Sequence, residues 1–251
     1  MGKEYTDIVI IGAGLTGLTA GFHLTRKGKH IRILEKADRI GGQIRTFHEN
    51  GFTFESGPNT GAISHPEVAE LFQLLSPACE LETAREEAKR RLIWKGDRFH
   101  VLPSGLVGGI TTPLFSLYDK FRILGEPFRK KGENEYESVA ALAARRLGKS
   151  FRDYAVDPFV SGVYAGDPNK LVTQYALPKL YNLEHTYGSF IKGSIAKARQ
   201  PKSDRDKLAT KKVFSARQGL ENIPSALARA IGKENISLSC ADIRIEPGET
   251  Y

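Results

Sequence analysis

The 251-residue chain carries 37 Lys and Arg against 29 Asp and Glu, a formal charge of +8, with 40% hydrophobic and 26% charged residues. That composition is globular, with core enough for one large domain or two smaller ones, and no stretch approaches the ~18 apolar residues that would cross a bilayer. The basic excess points to an acidic partner, whether a carboxylate-rich ligand, an anionic membrane surface or nucleic acid, and charge alone does not choose.

Cys79 and Cys240 have neither C-x-x-C nor metal-ligand spacing and read as reduced structural thiols. The N-terminus enters an apolar run almost at once, leaving no room for a signal peptide, so the expected location is cytoplasmic with peripheral membrane contact left open.

After Asp7, Ile8, Val9, Ile10 and Ile11 predict a short strand buried on both faces, as at the centre of a parallel sheet. Gly12-Ala13-Gly14-Leu15-Thr16-Gly17 follows and opens a helical pattern. Gly12 suits a tight strand-to-helix turn, Gly14 removes a Cβ that would hold a diphosphate off the backbone, and Gly17 lets helix and strand pack closely. The helix start presents unpaired N–H groups and its positive dipole end. Leu15, Leu18, Phe22 and Leu24 make the apolar stripe, and Gly28 is a left-handed stop. His30 to Leu34 predicts a second strand ending at Glu35, an acid placed to accept hydrogen bonds from ribose hydroxyls and to repel a 2′-phosphate. A bare G-x-G-x-x-G is weak, but strand, helix, second strand and terminal acid together favour a dinucleotide site over a βαβ unit that binds nothing.

A second glycine site follows in Arg39-Ile40-Gly41-Gly42-Gln43, as a long extended cofactor such as FAD requires and a nicotinamide cofactor in general does not. Residues 51–60 alternate aromatic and polar side chains and then turn at Gly57-Pro58-Asn59-Thr60, a strand followed by a flavin-facing loop. Glu67 to Leu75 is an amphipathic helix with Val68, Leu71, Leu74 and Leu75 on one side. Residues 89–102 make a hairpin around Gly96, with Lys89 and Arg90 solvated and Arg91 the better candidate for facing a ligand.

From Ser104 to Leu183 the signals are helical. Thr112-Pro113 reads as an N-cap with Pro at N1 of a helix to Leu124, its Leu114, Leu117, Tyr118, Phe121 and Leu124 face suiting either membrane or core. Ser138 to Leu147 is a capped helix stopped by Gly148. Residues 157–171 place two glycines, Gly162 and Gly166, between two Asp-Pro pairs, predicting a turn or tight corner where backbone approaches something closely. Lys192 to Arg217 reads as a solvated crossover. Val213–Ser215, Ile223–Ile231 and Ile236–Cys240 then read as strand, helix and strand.

The Arg-x-Gly-Gly at Arg39–Gly42 and the Phe-x-Phe-Glu-x-Gly-Pro at Phe52–Pro58 resemble the opening of the flavin amine oxidase superfamily. Asp157–Pro168 is very similar to the Pro-x-x-x-Gly-Val-x-Ala-Gly-Asp-Pro segment of its protoporphyrinogen oxidases, and together the matches span nearly the whole chain. One departure is Arg217-Gln218-Gly219, where that family usually has paired glycines.

The resemblance implies an α/β protein: a Rossmann-like FAD-binding βαβ domain with an inserted, mainly helical substrate- or membrane-binding domain, incomplete at the C-terminus. The corresponding segments are 1–82 for the first part of the FAD-binding domain, 83–103 for a substrate-domain hairpin, 104–205 for the helical insertion and 206–251 for the return to the FAD-binding domain. It implies FAD held by Gly12, Ala13, Gly14, Leu15, Thr16, Gly17, Glu35, Lys36, Gly42, Gln43, Gly57, Pro58, Asn59 and Thr60, and a substrate propionate on Arg91 with Gly162 giving the macrocycle room. The expected reaction is oxidation of a porphyrinogen, protoporphyrinogen IX or coproporphyrinogen III, to the porphyrin in haem biosynthesis, with molecular oxygen as acceptor. Neither nucleic acid nor a metal is expected, no general base is named, and homo-oligomerisation stays open. The alternatives are another oxidoreductase of this superfamily, or an inactive fragment acting as a binding or membrane-associated module.

Overall fold

A computed structural model describes residues 5–103, 108, 111–246 and 248, with backbone only at Lys89. The start of the helical stretch at 104–107, the side chain of Lys89 and the last residues, Thr250 and Tyr251, lie outside the described residues. The chain divides into two compact units, Met1–Ala84 with Lys202–Tyr251, and Arg85–Pro201.

In the first unit β1 (Ile8–Ile11) leads through Gly12–Gly14 into α1 (Leu15–Arg26), and the chain returns as β2 (Ile31–Leu34), parallel to β1 with Ile8 opposite Ile31 and Ile11 opposite Leu34. Gly28, at φ +75°, turns the chain out of α1. Two further pairs of strands follow this βαβ start. The ribbon of β3 (Thr46–Glu49) and β4 (Phe52–Glu55) closes at Asn50 and Gly51, both at positive φ as a two-residue hairpin turn demands. β5 (Gly61–Ala62) and β6 (Leu81–Thr83) flank a strand from the far end of the chain, β9 (Val213–Ala216), under α2 (Pro66–Leu75).

The closing elements of this unit are α8 (Asn222–Ile231), ended by Gly232 at φ +93°, and β10 (Ile236–Ser237), which pairs with β2. The core lies between this sheet and the helices: Leu18, Phe22, Ile33, Ile223, Leu227 and Ile231 are buried together. A Cβ on Gly21 would stand 2.9 Å from both Ile31 Cδ1 and Ile33 Cδ1, so α1 rests directly on β2.

Several expectations are corrected here. β1 is not a fully buried central strand: it ends the order β1-β2-β10, and Val9 and Ile11 are 52% and 57% exposed because the described residues cover only its other face. Leu15 is also exposed, leaving Leu18 and Phe22 as the buried stripe. On α2 Val68, Leu71 and Leu75 face the core as expected, but Phe72 joins them in place of the exposed Leu74 and packs edge-on against Phe214 at 5.3 Å. The last strand stops after two residues because Ser239 takes φ +59°, turning Ser239 N to Ala37 O and Cys240 N to Glu35 O.

The second unit begins with the hairpin of β7 (Leu92–Lys95) and β8 (Arg98–Val101), closed by Gly96 at φ +64°. Its helices are α3 (Leu117–Leu124), α4 (Val139–Arg146), α5 (Asp157–Tyr164, entered through a wide turn at Arg152–Val156), α6 (Pro178–Tyr187) and α7 (Phe190–Arg199). They are held by polar groups as much as by apolar packing. Glu126 and Arg146, both 0% exposed, form an ion pair. Glu126 also accepts from Ser189 Oγ at 2.5 Å and from the N–H groups of Phe190 and Ile191, so a buried carboxylate caps α7 and meets its positive dipole end. Arg146 donates to Arg129 O, Lys130 O and Gly188 O.

The helix expected from Pro113 starts at Leu117 instead. Ser116 and Asp119 form a capping box, while Leu114 and Phe115 are drawn into a separate cluster with Ile93 and Ala155. The basic crossover is helical in part: Lys192 to Arg199 belong to α7, and Asp204–Lys207 is a capped turn whose Arg205 pairs with Glu67 and Glu70 of α2.

The return segment carries a strained position. Gln218 is exposed at φ +70° beside Gly219 at φ +102°, and a side chain in this region costs what glycine avoids. Gln218→Gly is therefore expected to raise stability by roughly 0.5–1 kcal/mol, after the extra entropy glycine loses on folding is subtracted. Urea unfolding of the two chains at equal m-value measures it.

Candidate functional site

The first site is built on the turn between β1 and α1. Gly12 stands at φ +100° with its N–H donating to Leu34 O at 2.7 Å, which ties the loop to the end of β2. A Cβ on Gly17 would lie 2.0 Å from Gly12 O, so no other residue permits this approach of helix to loop. Gly14 is the N-cap of α1 and offers no side chain to the first-turn N–H groups, and a Cβ on Gly12 or Gly14 would meet nothing within 4 Å. Unpaired donors, the helix dipole and open space thus coincide, which fits an anionic diphosphate. Leu15 and Thr16 supply the first turn of α1.

Glu35 is buried at the end of β2 and bridges two loops. Its Oε2 accepts from Ala13 N at 2.7 Å and its Oε1 from Ala37 N at 2.9 Å. The Ala37 N–H, followed by burial acting in the opposite sense and then by the N–H groups of Ala13 and Lys36, leaves the carboxyl below the usual range. A carboxylate has about four lone-pair sites, so these N–H donors still leave capacity for a ribose hydroxyl. Lys36 is exposed beside it.

The second glycine site adjoins the first. Gly41 N donates to Ala13 O at 2.8 Å, and a Cβ on Gly42 would lie 3.4 Å from Gly14 Cα. Gly57 continues the surface, because a Cβ there would lie 1.9 Å from Gln43 O. Pro58, Asn59 and Thr60 follow as an exposed stretch before β5. Gly12, Ala13, Gly14, Glu35, Gly42, Gln43 and Gly57 are thereby brought into one continuous cradle. The sequence reading missed two supports. Arg39 binds the carbonyls of its own loop at Ile40, Gly42 and Ile44. Glu55 accepts from Thr46 Oγ1 and Leu220 N, fastening the β3–β4 ribbon to the return segment. Arg39 was visible as the first residue of Arg-x-Gly-Gly; the Glu55 contact spans 165 residues and left no local signal.

The second site lies in the other unit. Arg91 is exposed just before β7, its guanidinium carbon 5.4 Å from the centroid of Phe159 on α5. Among the described residues it forms no ion pair with Glu86 or Glu87. Gly162 is one turn beyond Phe159, so the structure does bring Arg91 to the helix that carries Gly162. Gly162 itself is corrected from turn to helix interior: it is exposed, with nothing within 4 Å of a Cβ, and the turn comes at Ala165, φ +48°. Val163 and Tyr164 are exposed beside it. Among the described residues no group of His, Cys, Asp and Glu could hold a metal.

The lowered Glu35 pKa sets a pH dependence. The carboxylate's contribution to stability is fully present above its ordinary value of 4.5 and is lost as pH falls through the depressed folded value. Glu35→Gln should therefore be less stable than the parent at pH 7, with the gap closing below pH 4.5. Thermal unfolding across that range, at fixed salt, checks both the sign and the window.

Comparison with known proteins agrees with this geometry. The flavin containing amine oxidoreductase family matches residues 15–250. Protoporphyrinogen oxidase 2 of Arabidopsis thaliana is 31% identical over 247 residues, covering 92% of this chain and 48% of the relative. Protoporphyrinogen oxidase of Homo sapiens is 32% identical over 248 residues, 92% of this chain and 52% of the relative. A crystal structure from Exiguobacterium sp. 255-15, provisionally named a protoporphyrinogen oxidase, superposes with TM-score 0.65 at 24% identity, covering 95% of this chain and 53% of that one. Cyclohexylamine oxidase from Brevibacterium oxydans IH-35A shares the fold at TM-score 0.62 and 18% identity. The chain spans about half the length of the curated relatives it matches. With the family matched from the first turn of α1 almost to the last residue, the chain belongs to the flavin containing amine oxidoreductases.

Proposed function

We propose that the chain holds FAD and part of the substrate in an oxidase that converts a porphyrinogen, protoporphyrinogen IX or coproporphyrinogen III, to the porphyrin with molecular oxygen as acceptor. The observation that carries the cofactor reading is the continuity of the cradle from Gly12 and Gly14 through Gly42 to Gly57, longer than a nicotinamide site requires. Gly12, Ala13, Gly14 and Gly17 hold the diphosphate, Glu35 the ribose, and Gly57 to Thr60 lie toward the flavin. When bound, FAD supplies the two-electron acceptor for hydride removal from the porphyrinogen meso carbons.

The chain's own contribution is binding and orientation. Developing positive charge on the substrate is delocalised by its pyrrole nitrogens, which is why no side chain here is assigned as a base. Arg91 anchors a propionate: its planar fork matches a carboxylate, and among the described residues it has no competing ion pair. The exposed face of α5 at Gly162 takes the macrocycle edge. The names of the relatives support a porphyrinogen over an amine, as does a basic anchor, since a macrocycle with several carboxylates uses it and an amine does not.

The test is flavin uptake followed by turnover. A bound-flavin absorption spectrum is expected after FAD addition, and preferential uptake of a nicotinamide nucleotide would overturn the cofactor reading. Arg91→Ala should weaken porphyrin or porphyrinogen binding by about 1.5–3 kcal/mol and leave flavin content unchanged, with Arg91→Lys intermediate. Equal binding by the parent and Arg91→Ala would reduce Arg91 to an ordinary surface residue.

A second reading concerns location, and one observation favours it. Leu117, Tyr118, Phe121 and Leu124 of α3 are 71%, 73%, 71% and 65% exposed, with Phe128 beyond them at 87% and Arg129 and Lys130 alongside. No helix among the described residues is long and apolar enough to cross a membrane. This face suits peripheral contact with an anionic bilayer, as at the inner face of the cell membrane. Cosedimentation with phosphatidylglycerol vesicles, reduced at high salt and lost in Phe121→Ser, is the expected result. Binding that is indifferent to Phe121→Ser would dissociate α3 from the membrane.

A further inference from the structure

Between Glu35 and β3 the chain makes an unusual loop. Gly41 and Gly42 stand at φ +97° and +58°, Gly41 N reaches back to Ala13 O at 2.8 Å, and Gly42 lies against Gly14. Such a turn leaves the carbonyls of Ile40, Gly42 and Ile44 without backbone donors among the described residues. Each carries partial negative charge and has to be satisfied. Swung toward Gly14, any of them would repel a diphosphate and cancel part of the α1 dipole.

Arg39 takes all three. Its Nη1 donates to Ile40 O and Ile44 O, both at 3.1 Å, and its Nη2 to Gly42 O at 2.6 Å. The side chain is half-buried, and among the described residues it pairs with no carboxylate, so its donors serve its own loop. Two nitrogens of one rigid plane reach carbonyls on both sides of the glycine pair, which the single ammonium of lysine does not reproduce.

We infer that Arg39 is a positioning residue of the cofactor cradle: by holding the carbonyls of Ile40, Gly42 and Ile44 it keeps the second glycine turn seated on Gly14 and turned for an anionic diphosphate. The inference rests on the FAD reading above and adds to it a residue that need not touch the cofactor. Affinity then depends on a loop ordered before the ligand arrives, since ordering it on binding would be subtracted from the binding energy.

Arg39→Lys and Arg39→Met separate this from a general role in folding, the first keeping the charge and the second only the volume. In the ligand-free chain, amide hydrogen exchange at Gly41 and Ile44 should accelerate in both variants by about tenfold or more, while α1 and α8 keep their protection. FAD and ADP, which share the diphosphate, should each bind about tenfold more weakly to both variants. Faster exchange with unchanged FAD and ADP affinity would overturn the inference and leave the FAD reading intact. Unchanged exchange would overturn it too, and so would loss of protection throughout α1 and α8 in both variants, which would assign Arg39 to the fold. If the parent chain binds neither FAD nor ADP, the FAD reading fails and this inference with it.

Discussion

The first unit depends on one close approach, that of Gly17 to the carbonyl of Gly12. With 2.0 Å between that oxygen and any Cβ at position 17, α1 settles onto the loop only because there is none. The same approach brings Gly21 onto Ile31 and Ile33, closes the core with α8, and leaves the N-terminus of α1 open above Gly14. The packing and the open helix N-terminus that suits an anion therefore follow from the same missing side chains. Glu35 then ties this turn to the end of β2 through two backbone donors, so the acid that would meet a ribose also fixes the loop that would meet the diphosphate.

The second unit solves a different problem. Its helices are short and their apolar clusters small, and its interior is fastened by the buried Glu126–Arg146 pair. Burying two charges is costly unless their lone pairs and protons find partners; here Glu126 meets three donors besides Arg146 and Arg146 meets three carbonyls, with its buried Nε left unsatisfied among the described residues. The neighbouring Arg145 joins Glu137 to Glu184 in the same region, linking α4 to α6. These contacts bring distant segments to fixed positions and leave α3, α5 and the β7–β8 hairpin to present side chains outward.

What is presented is unevenly distributed. Leu92, Trp94, Phe99 and Val101 form one exposed face of the hairpin, α3 shows its apolar side, and β1 shows Val9 and Ile11. Soluble monomers seldom expose so many large apolar groups in clusters. Arg91 emerges at the base of that hairpin over Phe159, where an aromatic ring restrains the guanidinium without neutralising it.

The order of residues alone determined the βαβ start, the two glycine sites, Glu35, the serine-capped helix at Ser138, the helix from Ile223 to Ile231, and the family resemblance. These rest on local rules: glycine where φ is positive or a Cβ would collide, serine where a helix needs an acceptor, apolar periodicity where an element has one buried face. Tertiary structure decided the rest. β1 reads as central from four apolar residues, yet which of its faces is covered depends on strands far away in sequence. The helix expected at Pro113 yields to Ser116 and Asp119 because Leu114 and Phe115 gain more by joining Ile93 than by extending α3. Lys192 to Arg199 read as solvated coil because their charges hide a helix whose first turn is capped by Glu126, more than sixty residues earlier. Local sequence records conformational preference and side-chain volume; which distant group satisfies a buried donor, or covers an apolar face, is set only when the chain has closed on itself.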